Sequence, residues 1–182
     1  MDVLDAIHAR RTVGTFSDRP VGRDVVARLI DAAARAPNHH ETRPWHFSVL
    51  AGEARREMAD AVAASLSDAP GAARAAKQKL LRAPVVVVVA QRRGSDDPTI
   101  DLEDYAACCC ATQNLLLAAQ AEGLDAKWST GKLATYPAAK AHLGLDPEDR
   151  IVAYVYLGQR SAKGPAPREE AEAAVEWRGF DD

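Results

Sequence analysis

The spacing of apolar and polar residues divides the chain into ten elements. Apolar residues repeat every three or four positions in the helical segments and alternate in the strands, and Gly or Pro separates most of them. In chain order, we predict helices over 1–11 and 23–37, a strand over 45–52, helices over 53–66 and 71–81, a strand over 84–90, a long helix ending at Gly123, a strand over 125–130, a turn and helix over 131–144, and a strand over 150–160. This order predicts an α+β domain with about four strands and helices on both faces of the sheet.

Two segments are apolar without a polar side. The strand PVVVVVA at 84–90 lacks alternation, which indicates burial on both faces. Between Tyr105 and Ala121 the clearly polar residues do not share one helix face, so this helix needs burial nearly all round. One sheet cannot cover it in a domain of this size, and we expect its remaining face to meet a second copy in an isologous dimer. A central helix inside a monomer is the alternative.

Composition indicates one globular domain over residues 1–182, with 47% hydrophobic and 27% charged residues. Residues from about 159 to 182 are rich in Pro and Gly and then acidic, and we expect an extended C-terminal arm. The net charge of −3 argues against a nucleic-acid partner. The N-terminus does not resemble a secretory signal, and the valine run is too short to span a membrane, so we expect a cytoplasmic protein with no membrane partner.

The three cysteines occupy consecutive positions, Cys108 to Cys110. Neighbouring side chains point in different directions on a helix, so this run fits neither zinc-ligand spacing nor a disulfide framework. We therefore expect buried free thiols and no metal site. The glycine motifs of Rossmann and P-loop nucleotide sites and the common hydrolase motifs are absent from the sequence.

Arg10, Arg11 and Thr12 form the first of three polar clusters. No acidic residue lies within 8–16 to pair with the two guanidinium groups. An arginine fork binds phosphate oxygens in pairs, and a hydroxyl with backbone N–H groups completes a phosphate cradle. We interpret this cluster as an anion site, with solvated surface charge as the alternative.

The other two clusters lie next to predicted strands. The segment 35–47 is stiffened by two prolines and gathers donor side chains, namely Arg35, Asn38, His39, His40, Arg43 and Trp45. In the segment 127–135 a strand ends, Gly131 permits close approach of the backbone, and Lys132 supplies a cation. Such a turn can line a polar heterocycle. For both clusters an ordinary surface loop is the alternative.

The three clusters, with two further segments, resemble the nitroreductase family of FMN-dependent oxidoreductases. The resemblance begins with RRTVGTF, which is similar to the family's R-R-S-x-R-x-F, and continues with ARAPNHHETRPWHFSVL, which is similar to A-P-S-x-x-N-x-Q-P-W-x-F. It extends through ATQNLLLAAQAEGLDAKWSTG to VAYVYLGQR and covers residues 1 to about 160. The short length and the APNHHETRPWHF loop are most similar to the compact YdjA-type branch.

The resemblance implies a homodimer with a central, mostly antiparallel sheet and two FMN molecules at the interface. It also implies a reaction in which hydride passes from NAD(P)H through FMN to a small-molecule acceptor such as a nitroaromatic or a quinone. By this resemblance, Arg10, Arg11 and Thr12 match the family's segment that binds the FMN phosphate and ribityl chain, and Arg35 and His39 match flavin-contacting positions. Gly131, Lys132 and Leu133 match the turn that lies along the ring. Arg168 matches a basic residue of the tail near the phosphate.

Three positions depart from the family pattern. Gly14 stands where many members carry a cation near flavin N1, and Glu41 and Arg43 stand where the family has amide side chains. A cation near N1 stabilises reduced flavin, and Lys132 and Arg35 are the candidates for that role here. Other flavin chemistry (dehalogenation, ene reduction or flavin fragmentation) and flavin or nucleotide binding without turnover are the alternative functions.

Overall fold

A computed structural model of the chain describes residues 1–161 and 173–180. Its helices are α1 Val3–Ala9, α2 Arg23–Ala33, α3 Gly52–Ala64, α4 Pro70–Leu80, α5 Pro98–Ala121 and α6 Pro137–His142. Its strands are β1 Trp45–Ala51, β2 Val85–Gln91, β3 Asp125–Ser129 and β4 Arg150–Gly158, and His39–Glu41 and Gly131–Thr135 form 3-10 turns. All ten predicted elements are therefore present. The largest shift is in α2, which ends at Ala33 and continues as a turn because Pro37 disfavours helical backbone before it.

The four strands form one antiparallel sheet in the order β1-β2-β4-β3. Its centre is β2, whose valines alternate between two cores. Val85, Val87 and Val89 pack with α2 and α5 on one face, and Val86 and Val88 pack with α3, α4 and α6 on the other. The predicted burial on both faces and the α+β class with helices on both sides of the sheet are confirmed.

Helix α5 begins with an Asp97 cap, whose carboxylate accepts a hydrogen bond from the Thr99 N–H at 2.8 Å. Its buried residues include Cys108, but Cys109 is half-buried and Cys110 is exposed. The expectation of three buried thiols was therefore wrong for Cys110. Successive helical side chains are about 100° apart, so three in a row cannot all face one core.

The outer face of α5 is only partly covered within one chain. Helix α1 packs against it. Together they expose apolar side chains that the cores do not use, with Leu102 at 65%, Met1 at 68%, Val3 at 63%, Leu4 at 63% and Ile7 at 44% exposure. Helix α5 is thus buried on one side, and the exposed apolar side chains beside it belong mainly to Met1 and α1, with Leu102 on α5 itself.

The edges of the sheet hold the predicted polar clusters. At one edge the loop 35–44 leads into β1. At the other edge Thr12 forms a parallel bridge with Ala126 of β3, and the Val13 N–H donates to the Ala126 carbonyl at 3.2 Å. The chain then leaves β3 for the turn that begins at Gly131.

Within the described ranges, no helix has both the length and the apolar content needed to cross a membrane. Of the predicted arm, residues 159–161 and 173–180 are described, and 173–180 contain no helix or strand. Val175, Trp177 and Phe180 are exposed there. The arm and the single-domain boundary at 182 remain predictions.

Candidate functional site

The arginine pair lies where α1 ends beside the free edge of β3. Arg11 turns back onto that end, and its Nη1 donates to the carbonyls of His8 at 2.5 Å and Arg10 at 3.0 Å. Its other guanidinium nitrogens make no hydrogen bond to the described chain, so they keep their capacity to bind an anion. Arg10 and Arg11 are both half-buried, and Thr12 is exposed at the strand edge.

The turn after β3 is built on a glycine with left-handed backbone. Gly131 has φ +78°, a conformation that strains any residue with a Cβ. Leu133 then enters the core at 2% exposure, and its carbonyl accepts a hydrogen bond from the Tyr154 hydroxyl at 3.2 Å. The turn is thereby fixed to β4 while Lys132 stays exposed. From Ala126 to Ser129 the strand rises roughly 10 Å, so Thr12 and this turn share one edge of the sheet.

Four cations converge at this edge, and we refer to Lys79, Arg82, Lys127 and Lys132 as the basic edge. Lys79 and Lys132 line one surface depression together with Leu133. Lys127 pairs across strands with Tyr156, and the Arg82 guanidinium lies 5.3 Å from the ring of that tyrosine. Helix α4, the strand β3 and the turn therefore bring these side chains together from three parts of the chain.

None of the four has a carboxylate partner in the part of the chain that the structure describes. Burial, and then the charges of Arg82 and Lys79, lower the pKa of Lys127. Arg82 Nε is buried without a hydrogen-bond acceptor. Arg82 and Lys127 are half-buried, whereas Lys79 and Lys132 are exposed. Since like charges held close together repel, a bound anion would relieve that repulsion. Phosphate oxygens or an anionic ring have the chemistry that these donors fit.

The opposite edge has a different electrostatic pattern. We define the edge loop as residues 35–43, between α2 and β1. Arg35 forms an exposed ion pair with Asp31 at 3.2 Å. The Asn38 carboxamide oxygen accepts from the Arg43 N–H at 2.6 Å, and the Thr42 hydroxyl hydrogen-bonds the buried Asp104 of α5. This ion pair and these hydrogen bonds satisfy part of the polar groups of the loop within the chain.

The structure thus places the predicted site residues in two groups. Arg10 to Thr12 and Gly131 to Leu133 lie at the β3 edge, whereas Arg35 and His39 lie at the β1 edge. Three strand spacings, roughly 14 Å, separate the two edges. Arg168 lies outside the described residues.

The sequence interpretation missed Lys79 and Arg82. A lysine in the last turn of a helix is usually a solvated charge that favours the helix C-terminus, so nothing local distinguished Lys79 from Lys77. Only the packing of α4 beside the turn identifies it.

Comparison with known proteins places this geometry in a family. The chain matches the Nitroreductase family over residues 7–159. The Escherichia coli K12 protein named "Putative NAD(P)H nitroreductase YdjA" is 28% identical over 168 residues, covering 90% of this chain and 91% of that protein. A Haemophilus influenzae protein named "Putative NAD(P)H nitroreductase" is 31% identical over 166 residues, covering 87% of this chain and 88% of that protein.

Solved structures show the same fold. A nitroreductase-like family protein from Bacillus cereus superposes with a TM-score of 0.85 at 29% identity, covering 99% of this chain and 97% of that one. A Desulfovibrio desulfuricans protein solved in complex with FMN superposes with a TM-score of 0.76 at 25% identity, covering 100% and 99%. The resemblance that was read from the sequence motifs is confirmed.

Proposed function

The chain belongs to the nitroreductase family of oxidoreductases, and we propose that it holds FMN at the β3 edge and passes reducing equivalents from NAD(P)H to a small-molecule acceptor. The observation that carries the proposal is the meeting of the basic edge with the turn Gly131–Leu133, at the same edge of the sheet as Thr12. The relatives with NAD(P)H nitroreductase names and the neighbour solved with FMN agree with it.

Each part of the site has a separate task in this proposal. Arg10, Arg11 and the Thr12 hydroxyl hold the phosphate and ribityl chain, since forked guanidinium donors match phosphate oxygens. The backbone of Gly131 and Leu133 lies along the ring. When bound, FMN supplies the hydride-accepting and hydride-donating chemistry, so the protein needs no nucleophile of its own.

Lys132 and Lys79 are the cations that we place near flavin N1. Both line the depression beside Leu133. A positive charge there favours the reduced, anionic ring and so raises its reduction potential. Arg35 fits this role less well than the sequence suggested, because it already pairs with Asp31 and lies at the other edge of its own chain.

We further propose that a second copy completes the site. Within one chain the edge loop and Thr12 lie at opposite edges of the sheet, and the edge loop of a partner would supply Arg35 and His39 to the site. The exposed apolar side chains of α1 and Leu102 form the surface for that contact. Sedimentation at micromolar concentration should give a dimer, and Leu4→Asp with Ile7→Asp should shift it toward monomer. A monomeric wild type contradicts the dimer.

The central test uses colour and anaerobic reduction. Purified protein should be yellow, and the flavin absorbance should bleach when NADH or NADPH is added without oxygen. An acceptor panel of nitroaromatics and quinones should then restore the colour at different rates, and the comparison of both nicotinamides identifies the donor. Protein that stays colourless after incubation with FMN contradicts the proposal.

Two other functions have distinct outcomes in the same experiment. A flavin-binding protein without turnover would be yellow but would not bleach with either nicotinamide. A flavin enzyme of other chemistry would bleach but would not reduce the nitroaromatics or quinones. A cytoplasmic location remains a prediction from the sequence.

A further inference from the structure

We propose that His39, His40 and Glu103 form a binding site for a divalent transition-metal ion of the zinc type. The three residues each offer one ligand atom, and these atoms lie within 4.8 Å of one another. Two imidazoles and one carboxylate are a ligand set that zinc and related ions accept, with further positions left for water or another ligand. The site lies away from the basic edge of its own chain, and His39 is the one residue that it shares with the proposed flavin site.

The distances are close to those that a metal ion requires. The Nε2 atom of His40 lies 3.5 Å from Oε2 of Glu103. Two ligands at zinc-bond lengths and a tetrahedral angle are about 3.4 Å apart. This pair therefore needs almost no movement, and the His39 ring needs a shift of roughly 1.4 Å toward it at most, which a change of side-chain torsion supplies.

Glu103 carries a carboxylate oxygen that the protein itself leaves unsatisfied. Oε2 is buried and makes no hydrogen bond in the described part of the chain. The His40 ring faces it at 3.5 Å, a separation too long for a good hydrogen bond. Buried carboxylate oxygens without donors are rare, because removing them from water is costly. A cation between this oxygen and the two imidazoles would satisfy it.

The backbone presents both imidazoles on the same side of the loop. His40 has φ +57°, in the left-handed region, and the centroids of the His39 and His40 rings are only 4.0 Å apart. In an extended segment, consecutive side chains would point to opposite sides. The left-handed conformation of His40 therefore allows two neighbouring histidines to bind the same ion.

The loop is also held against the helix that carries Glu103. The Thr42 hydroxyl hydrogen-bonds Asp104, which follows Glu103 on α5, and the Asn38 side chain bonds both Thr42 and the Arg43 N–H. The three ligands consequently come from a fixed loop and a long helix, so little ordering is required when an ion binds. Sequence spacing could not reveal the site, since Glu103 is more than sixty positions from the histidines.

The test is a Zn²⁺ titration of untagged protein against a chromophoric chelator, with Co²⁺ absorption as a second measurement. We expect one ion per chain. His40→Ala and Glu103→Gln should each weaken Zn²⁺ binding at least about tenfold, the lower end of the effect of removing even an outer-shell partner. The matched control is His142→Ala, which removes an exposed histidine on α6 and should leave binding unchanged.

Each outcome separates this site from the proposed flavin function. Wild-type protein that does not compete for Zn²⁺, or variants that bind it as well as the wild type, would overturn the metal site. FMN content is measured in the same samples, and because His39 is retained in both variants, it should not change. Protein that binds Zn²⁺ but no FMN would support the metal site and contradict only the flavin proposal.

Discussion

The two edges of the sheet differ in whether their charged side chains have partners of opposite charge. At the β3 edge, Lys79, Lys127 and Lys132 gather without a carboxylate partner in the described chain. At the β1 edge, charges of opposite sign already meet, as in the pair of Arg35 with Asp31. The first edge is thus suited to an anion from outside, and the second offers imidazole and carboxylate ligands to a cation. A net charge of −3 does not reveal either property.

Polar chemistry lies at the edges for a structural reason. The central strands β2 and β4 hydrogen-bond a neighbour on each side and are buried on both faces, which leaves no room for a ligand. The outer strands each have one side without a further strand, where a loop or turn can present side chains and backbone N–H groups. The contrast between the edges can be tested by changing one edge at a time.

The largest effect is expected for Arg10→Ala with Arg11→Ala. Each lost charge-assisted contact with the phosphate should cost about 1.5–3 kcal/mol, so FMN affinity should fall roughly 10²- to 10⁴-fold. The measurement is the FMN that remains with the protein after gel filtration. The control is Arg92→Ala with Arg93→Ala, an adjacent pair whose Arg93 binds Glu148. Full FMN content in the first variant would refute the assigned phosphate site.

A smaller effect is expected for Lys79→Met. Loss of a cation beside reduced flavin, worth about 1.5–3 kcal/mol, should make the two-electron potential about 30–60 mV more negative. Equilibration with redox dyes under anaerobic conditions measures this shift. Lys77→Met on the same helix is the matched control, because Lys77 already pairs with Asp60. Equal potentials for the two variants would remove Lys79 from the flavin site.

At the other edge, Thr42→Val should loosen the edge loop. The change removes the hydrogen bond to Asp104, which is 3% exposed, and leaves that carboxylate without its donor. We expect a loss of about 1–3 kcal/mol in the free energy of unfolding, measured in urea. Thr99→Val, which removes an exposed hydroxyl at the start of α5, should change it little. A stability equal to that of the wild type would mean that the contact with Asp104 does not anchor the loop.

The smallest effects at neutral pH are expected for two buried tyrosines of β4. Tyr154→Phe removes the hydrogen bond to the Leu133 carbonyl and should cost about 1 kcal/mol. Tyr156→Phe removes a buried hydroxyl without a partner and should be neutral or slightly stabilising. Thermal unfolding of the two variants provides the comparison, and a larger loss for Tyr156→Phe would contradict it.

The buried hydroxyl of Tyr156 also predicts how the free energy of unfolding depends on pH. Burial raises the pKa of Tyr156 from 10.0 to about 12. A raised pKa stabilises the folded state below pH 10, and this contribution is lost as the pH rises from 10 toward 12, where the unfolded chain ionises first. Tyr156→Phe should therefore lose less stability than the wild type in that window, as measured by urea unfolding at each pH. An unchanged slope would mean that the Tyr156 hydroxyl ionises equally in both states.

Much of the architecture follows from the sequence because the signals are local. The run of valines between Pro84 and Gln91 predicts a strand buried on both faces, and the structure places alternate valines in two cores. Likewise Arg10, Arg11 and Thr12 are contiguous, as are Gly131 and Lys132, so each group can be identified in the linear sequence. Short-range periodicity and turn chemistry are properties that a linear chain carries in itself.

The arrangement of these groups was decided by the tertiary structure. Strand order, which no periodicity encodes, puts the edge loop beside β1 and Thr12 beside β3, at opposite edges of the sheet. The packing of α4 and α5 selects Lys79 rather than Lys77 and brings Glu103 to His40. Side chains that are far apart in sequence come into contact only when the helices and strands that carry them pack together, and local sequence patterns do not specify that packing.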